Sequence, residues 1–212
     1  MSVAEKLRAI AENEHSVYAA GARAEHDRFW DGFQRNGERS NYSYAFYHNY
    51  WDDEVYNPKY DIKAQNLQFA FRYSNITDTK VAIYLNNTYA DSGAGIFSNA
   101  KQLKTIRKIV LTSTTPISSN MFSNCTALEN LTVEGVIGQN GFNVQSSSLL
   151  SRASIISIIN ALSTTTSGLT VTLSRAAVNS AFETSDGAAD GSTSAEWSAI
   201  IGARSNWTIS LI

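Results

Sequence analysis

The sequence predicts an α/β fold in which a long N-terminal helix precedes a short repeat solenoid with one parallel sheet and two C-terminal helix–strand units. Three observations lead to this fold class. Phenylalanines recur at Phe71, Phe97, Phe122 and Phe142, with separations of 26, 25 and 20 residues. Short runs that alternate apolar and polar residues accompany them, and residues 2 to 35 carry an apolar stripe at helical spacing.

The repeat is clearest in two near-copies, Phe97-Ser98-Asn99 and Phe122-Ser123-Asn124. A leucine stands six residues after each phenylalanine, at Leu103 and Leu128, and a β-like run follows. A period of 20 to 50 residues indicates stacked units, each of which buries its apolar face only against its neighbours. A chain of this kind typically presents a binding surface.

Five runs are predicted as parallel strands that stack in chain order into one continuous sheet: 81–85, 109–111, 131–133, 169–173 and 207–211. Alternate residues in each run are apolar and are expected to point into the core. The polar residues between them predict an outward-facing ladder that can contact a ligand: Tyr84, Thr132, Thr170, Thr172, Thr208 and Ser210.

Helices are predicted in the last two units. One spans Ser151 to Leu162, with Ser151 or Ser154 as its N-cap. The other begins near Thr193, where Glu196 completes a capping box. These helix–strand units are expected to close the C-terminal end of the repeat domain, residues 67–212.

The first region, residues 1–37, is predicted to be a helix capped by Ser2 and ended by Asn36-Gly37. Its stripe predicts a docking or oligomerisation contact with these residues at its centre: Val3, Leu7, Ile10 and Val17. Packing of the helix on its own domain is the alternative. The spacing itself does not choose between two, three and more strands.

Between these regions, residues 38–66 form a connector crowded with tyrosine, phenylalanine and tryptophan beside Asp52, Asp53 and Glu54. Aromatic rings near acids can bind sugars. They can also cap the open end of a stack of repeats, and this second role is preferred here. Both alternatives stay open at the level of the sequence.

Composition limits the function classes. The net charge is −2 and charged residues make up 17% of the chain, which does not favour a nucleic-acid-binding face. The chain contains no stretch of about 18 apolar residues that would be long enough to span a membrane, and no signal peptide is evident at the N-terminus. The chain is therefore expected to be made in the cytoplasm and, if it acts outside the cell, to be released by lysis in an assembled particle.

The residues Phe122-Ser123-Asn124-Cys125 with Ala127-Leu128 and Leu131 resemble the BspA-type leucine-rich repeats common in gut bacteria. A broader resemblance, to uncharacterised proteins of Firmicutes phages and prophages, rests on Ala4-Glu5-Lys6-Leu7, Phe29-Trp30-Asp31, Pro58-Lys59-Tyr60-Asp61-Ile62, Glu134-Gly135-Val136-Ile137-Gly138-Gln139-Asn140, Leu150-Ser151-Arg152-Ala153-Ser154-Ile155 and Asn206-Trp207-Thr208. This resemblance implies a leucine-rich-repeat domain on a virion- or tail-associated protein, located in the virion after synthesis in the cytoplasm of the host bacterium.

Catalytic patterns are weak. His48 near Asp52 and Asp53 could form only a poor cation site, and Cys125 is expected to be a buried thiol rather than a nucleophile. Glu129 and Glu134 flank a strand without a defined cleft. No catalytic residue, metal site or cofactor is therefore predicted.

The expected function is a non-enzymatic phage structural protein that attaches to the host surface. Its expected partners are other virion proteins, a host surface glycan or protein, and further copies of itself. A homotrimer is the favoured state by analogy with fibre-like phage components. A bacterial cell-surface adhesin is the alternative, and a cell-wall or capsule hydrolase is a third reading.

Overall fold

A computed structural model describes residues 38–39, 42–48, 51–53, 56–85, 93–182 and 194–212. The predicted helix of residues 2 to 35, including Val3, Leu7, Ile10 and Val17, lies outside these residues. The described chain is a mixed α/β structure with parallel strands and helices. None of its helices is long and apolar enough to cross a bilayer.

Seven strands occur in the described residues and form two sheets. The first sheet has five parallel strands in chain order: β1 (Glu38–Arg39), β2 (Ile62–Ala64), β3 (Ala82–Leu85), β4 (Thr105–Leu111) and β5 (Asn130–Gly135). The second sheet is a parallel pair, β6 (Leu169–Leu173) and β7 (Trp207–Leu211).

Three helices complete the described fold: α1 (Arg152–Ala161), α2 (Arg175–Phe182) and α3 (Ala195–Gly202). Of the two predicted caps, Ser151 is the one that caps α1, by accepting from the Ser154 N–H. The cap of α3 is Ser194, which accepts from the Trp197 N–H at 2.9 Å, one residue beyond the predicted Thr193. Helix α2 was not predicted.

All five predicted runs overlap parallel strands, but the expectation of one continuous sheet is wrong. The first sheet ends at β5, because α1 lies along the free edge of that strand. Ser154 Oγ accepts from the Leu131 N–H at 2.9 Å, and Ser157 Oγ accepts from the Val133 N–H at 2.8 Å. The serine hydroxyls thus satisfy edge groups that a sixth strand would otherwise pair.

The chain then adds β6 beside a different segment. Thr172 of β6 bridges in parallel to Asn143: its N–H donates to the Phe142 carbonyl at 3.0 Å, and its carbonyl accepts from the Val144 N–H at 2.9 Å. Strand β7 then pairs with β6. A second short sheet therefore forms beside the segment of Phe142 and Asn143, and not beside β5.

A column of phenylalanines runs through the buried core. Phe71, Phe97 and Phe122 stack with centroid separations of 5.3 and 5.7 Å, and their ring planes are within 14° of parallel. Phe142 continues the column at 5.3 Å from Phe122. All four are buried, and the inward residues of the strands belong to the same apolar cluster. Burial of stacked rings is the main stabilisation expected for such a column.

The phenylalanine turns, residues 42–48, 67–73, 93–99 and 118–124, form a second ladder separate from the sheet. The Phe46, Phe71 and Phe97 N–H groups donate to the carbonyls of Ala70, Ile96 and Met121 at 2.8 to 2.9 Å. Each turn therefore satisfies the backbone of its neighbour, and Phe46, Phe71, Phe97 and Phe122 occupy equivalent positions.

This ladder changes the interpretation of residues 38–66. Phe46 stacks on Phe71 at 4.7 Å, and Tyr42, Trp51 and Tyr56 are buried with it. The described part of the connector is thus a further unit of the stack, with its own strand β1. Tyr44 and Tyr60 are exposed, and the preferred role of the segment as a cap stays a prediction.

The glycine run after β5 is explained by close backbone approach. Gly135 has a φ of +87°, and a Cβ there would lie 2.0 Å from the Leu111 carbonyl oxygen. At Gly138 a Cβ would lie 2.2 Å from the Ser113 carbonyl oxygen. Only glycine permits the contact between these units.

Candidate functional site

The outer face of the five-stranded sheet is the first candidate binding surface. Strand register places Lys63, Tyr84, Val110 and Glu134 side by side across four strands. The first three are half-buried and Glu134 is exposed. Their partly exposed side chains form a continuous row, because parallel strands in register present equivalent residues on the same face.

The row is held by contacts between neighbouring strands. Lys63 Nζ lies 5.5 Å from the centroid of the Tyr84 ring. Lys108 Nζ lies 2.6 Å from Glu134 Oε2, and this carboxylate raises the pKa of the lysine. Both partners are solvent-exposed, so the pair orders the surface more than it stabilises the fold. The face offers one aromatic ring between groups of opposite charge.

The predicted polar ladder is divided by the break between the sheets. Tyr84 and Thr132 belong to the five-stranded sheet, where Thr132 is exposed opposite the bulge of β4. The other four residues belong to β6 and β7, in two directly paired sets: Thr170 with Thr208, and Thr172 with Ser210. A single ladder of all six is therefore wrong.

A groove between β5 and α1 extends the first surface. It has a volume of about 640 Å³ and is bordered by Glu134, Arg152, Ile156 and Asn160. Arg152 pairs with Glu196 of α3 and lies 5.5 Å from the Phe182 ring, which fixes its position at the rim. No pattern in the sequence predicts this groove, because it forms where α1 takes the place of a strand beside β5.

Two of the residues considered for chemistry, Cys125 and Asp53, have structural roles. Cys125 is buried, its Sγ lies 3.0 Å from the Phe97 carbonyl oxygen, and burial raises the pKa of its thiol to about 12. Asp53 Oδ1 accepts from the Thr77 N–H at 2.9 Å, which ties one unit to the next. Within the described ranges, no three His, Cys, Asp or Glu side chains are placed to hold a metal ion.

Two further polar side chains, the buried Tyr56 and the half-buried Lys80, also form hydrogen bonds between neighbouring units. Tyr56 donates from its hydroxyl to the Thr79 carbonyl at 2.9 Å, and burial, with a smaller effect of Asp78, raises its pKa. Lys80 donates to the Asp53 carbonyl at 2.8 Å, and its pKa is lowered by burial in spite of Asp53 and Asp78. Both side chains join adjacent units.

The candidate surfaces can bind a ligand through rings, hydroxyls and paired charges, because these groups are partly exposed and their positions are fixed by the strands. Comparison of the chain with protein-family models, characterised proteins and solved structures finds no match.

Proposed function

We propose that this chain is a non-enzymatic phage structural protein, virion- or tail-associated, that presents a leucine-rich-repeat solenoid for attachment to the host surface. The main support for the proposal is that two sets of backbone hydrogen bonds, one between strands and one between phenylalanine turns, follow the same repeat. Strands β1 to β5 pair in chain order, and the phenylalanine turns pair over the same units. A stack of this kind presents an extended surface built from repeated positions.

The phage assignment draws on the sequence resemblance described above, and the attachment role draws on the exposed face. Residues on that face, such as Tyr84 and Glu134, are positioned by the strands and remain accessible. The N-terminal segment supplies the link to other virion proteins, with a homotrimer as the favoured state. No cofactor is part of this proposal.

Particle association is the primary test. Phage particles released from a strain that carries the gene are banded on a density gradient, and the chain is quantified in each fraction by mass spectrometry. The chain is expected to band with the particles at a constant copy number. Its recovery only in the unsedimented protein fraction would refute the virion assignment.

Host attachment requires a separate measurement. Purified protein carrying a fluorescent label is titrated onto cells of the host strain and of an unrelated species. Saturable binding to the host alone is expected. Equal binding to both cell types would contradict a role in recognition.

A further inference from the structure

A cluster of aromatic side chains lies on the first two phenylalanine turns. We call Tyr44, Tyr47, Phe69 and Tyr73 the aromatic platform. Tyr44 lies 5.4 Å from Tyr47 and 5.3 Å from Phe69, and Tyr47 lies 6.0 Å from Tyr73, measured between ring centroids. Tyr44 is 52% exposed and Tyr73 is 37% exposed. The platform is therefore a connected set of rings that is open to solvent.

The backbone under the platform adopts a conformation that disfavours these residues. Tyr44, Phe69 and Tyr73 have φ values of +58°, +55° and +58°. The left-handed region is uncommon for residues with a side chain, and bulky residues there carry a conformational cost. Three neighbouring aromatic residues in this region need a physical reason.

Equivalent turns in the next units use the residues that this conformation favours. The position of Tyr44 and Phe69 is taken by Gly95, and the position of Tyr73 by Asn99 and Asn124. Asn124 Nδ2 also donates to Asn99 Oδ1 at 2.9 Å, so asparagine adds a contact between units. The turn itself does not require tyrosine.

Burial does not explain the tyrosines either, because Tyr44 and Tyr73 are the most exposed members of the platform. A cost in backbone strain without a matching gain in packing is typical of a binding site. From this juxtaposition we propose that the aromatic platform binds an uncharged hexopyranose of a surface glycan. The proposal rests on the attachment function above, since it names a ligand for that function and a second contact surface beside the outer face of the five-stranded sheet.

The chemistry of the platform fits a sugar ring. The C–H face of a pyranose is apolar and slightly positive, so it packs on the negative face of an aromatic ring. Hydroxyl groups at the edge of the sugar can exchange hydrogen bonds with the phenol groups of Tyr44, Tyr47 and Tyr73. Rings at different inclinations, such as the T-shaped pair of Tyr47 and Tyr73, suit a ligand that is apolar on its faces and polar at its edge.

Arg72 supports the choice of an uncharged sugar. Its guanidinium carbon lies 4.9 Å from the centroids of both Phe69 and Tyr73, and Nη2 lies 3.4 Å from the Tyr73 hydroxyl. Its Nε is buried and makes no hydrogen bond to the described residues. The guanidinium therefore lies against both rings, and its buried Nε closes the edge formed by Nε and Nη2 to a carboxylate or phosphate.

Saturation-transfer NMR with purified full-length protein tests the proposal. The probes are methyl β-glucoside, methyl β-galactoside, N-acetylglucosamine and, as an anionic comparison, sialic acid. At least one uncharged sugar is expected to receive saturation on one face of its ring. No saturation of any uncharged sugar, or saturation of sialic acid alone, would overturn the proposal.

The decisive variant is Tyr73→Asn, which restores the residue found at this turn in the next units. It is expected to weaken sugar binding by about tenfold or more, whereas its thermal midpoint stays within about 4 °C of the original protein or rises. The control is Tyr60→Asn, which removes a tyrosine outside the platform that is more exposed than Tyr73, and it should leave binding unchanged.

Tyr44→Gly provides an independent second variant, because it restores the residue at the position of Gly95. Unchanged sugar binding in both Tyr73→Asn and Tyr44→Gly would refute the platform as the site. These measurements use isolated protein and simple sugars. A failure here therefore leaves particle association untouched, and a failure of particle association leaves sugar binding testable.

Discussion

Ser157 occupies the place of a neighbouring strand for Val133. Its hydroxyl accepts from the Val133 N–H at 2.8 Å and donates to the Val133 carbonyl oxygen at 3.1 Å. The Ser157 side chain thereby satisfies both the N–H and the carbonyl group of Val133 at the free edge of β5. Ser154 repeats the arrangement one helical turn earlier, accepting from the Leu131 N–H and donating to the Glu129 carbonyl.

Replacement of Ser157 with alanine is expected to lower the free energy of unfolding by about 1 to 3 kcal/mol. The partly buried backbone groups of Val133 lose their partner, and the alanine methyl group offers no substitute. Urea denaturation measures the change. Ser198→Ala, at an exposed position of α3, is the control and should change the free energy by less than about 0.5 kcal/mol. A loss no larger than that of the control would mean that water replaces the hydroxyl without cost.

Phe122→Ala should be more disruptive, with a loss of about 3 to 5 kcal/mol in unfolding free energy. The ring is buried between Phe97 and Phe142, so truncation leaves a cavity in the middle of the column. Leu149→Ala removes an apolar side chain that is 56% exposed and serves as the comparison. A shift below about 1 kcal/mol for Phe122→Ala would contradict its place in the core.

Residues with strong local patterns were predicted well. The alternation in 169–173 and 207–211 marks strands β6 and β7, and Ser151 marks the start of α1. These signals depend on neighbours in sequence, namely an inward–outward pattern and a capping hydroxyl. The phenylalanine period depends only on equal spacing, and the stack of Phe71, Phe97 and Phe122 follows it.

The end of the sheet at β5 could not be predicted in the same way. Ser154 and Ser157 look like ordinary helix residues, and their bonds to Leu131 and Val133 depend on how the helix packs. Two other features, the additional unit around Phe46 and the position of Tyr73, can be found from spacing in the sequence. Phe46 precedes Phe71 by 25 residues, and Tyr73 follows Phe71 by two residues, as Asn99 follows Phe97. The crowd of aromatic residues around Phe46 obscured both spacings.

The Cys125 thiol is expected to resist modification in the folded protein. At pH 8, a thiol whose pKa is about 12 is almost entirely protonated, and its side chain is buried. Its reaction with an aromatic disulfide reagent should be at least about 1000-fold slower than in urea-unfolded protein. Comparable rates in the two states would place Cys125 at an accessible position.

The same thiol predicts a loss of stability at alkaline pH. Its pKa is raised from 9.0 to about 12 on folding, so its contribution is complete below pH 9 and declines as pH rises towards 12. The stability difference between the original protein and Cys125→Ala should therefore shrink by about 1 to 2 kcal/mol between pH 7 and 10.5. Urea melts at both values measure it. A constant difference would mean that the thiol titrates alike in both states.

Self-association is predicted to depend on the N-terminal stripe. Leu7→Asp in the full-length protein would place a charge on the predicted contact, so the favoured trimer should dissociate. Light scattering at several concentrations gives the mass. Glu12→Asp, away from the stripe, is the control. If the original protein is already monomeric and also fails to bind purified phage particles, the stripe packs within its own chain.

Host-cell binding measurements should show which of the two sheets that carry the predicted polar ladder makes the contact. Tyr84→Ser combined with Thr132→Ala changes the outer face of the five-stranded sheet, and Thr170→Ala combined with Thr208→Ala changes a directly paired position of the smaller sheet. The first double variant is expected to weaken binding by about tenfold, because a partly buried tyrosine held by its strand neighbours contributes strongly to an interface. The second is expected to bind like the original protein, since its two exposed threonines lie on a separate sheet. The reverse result would place the contact on β6 and β7. Thermal midpoints measured beside the binding curves ensure that each loss reflects the surface rather than unfolding.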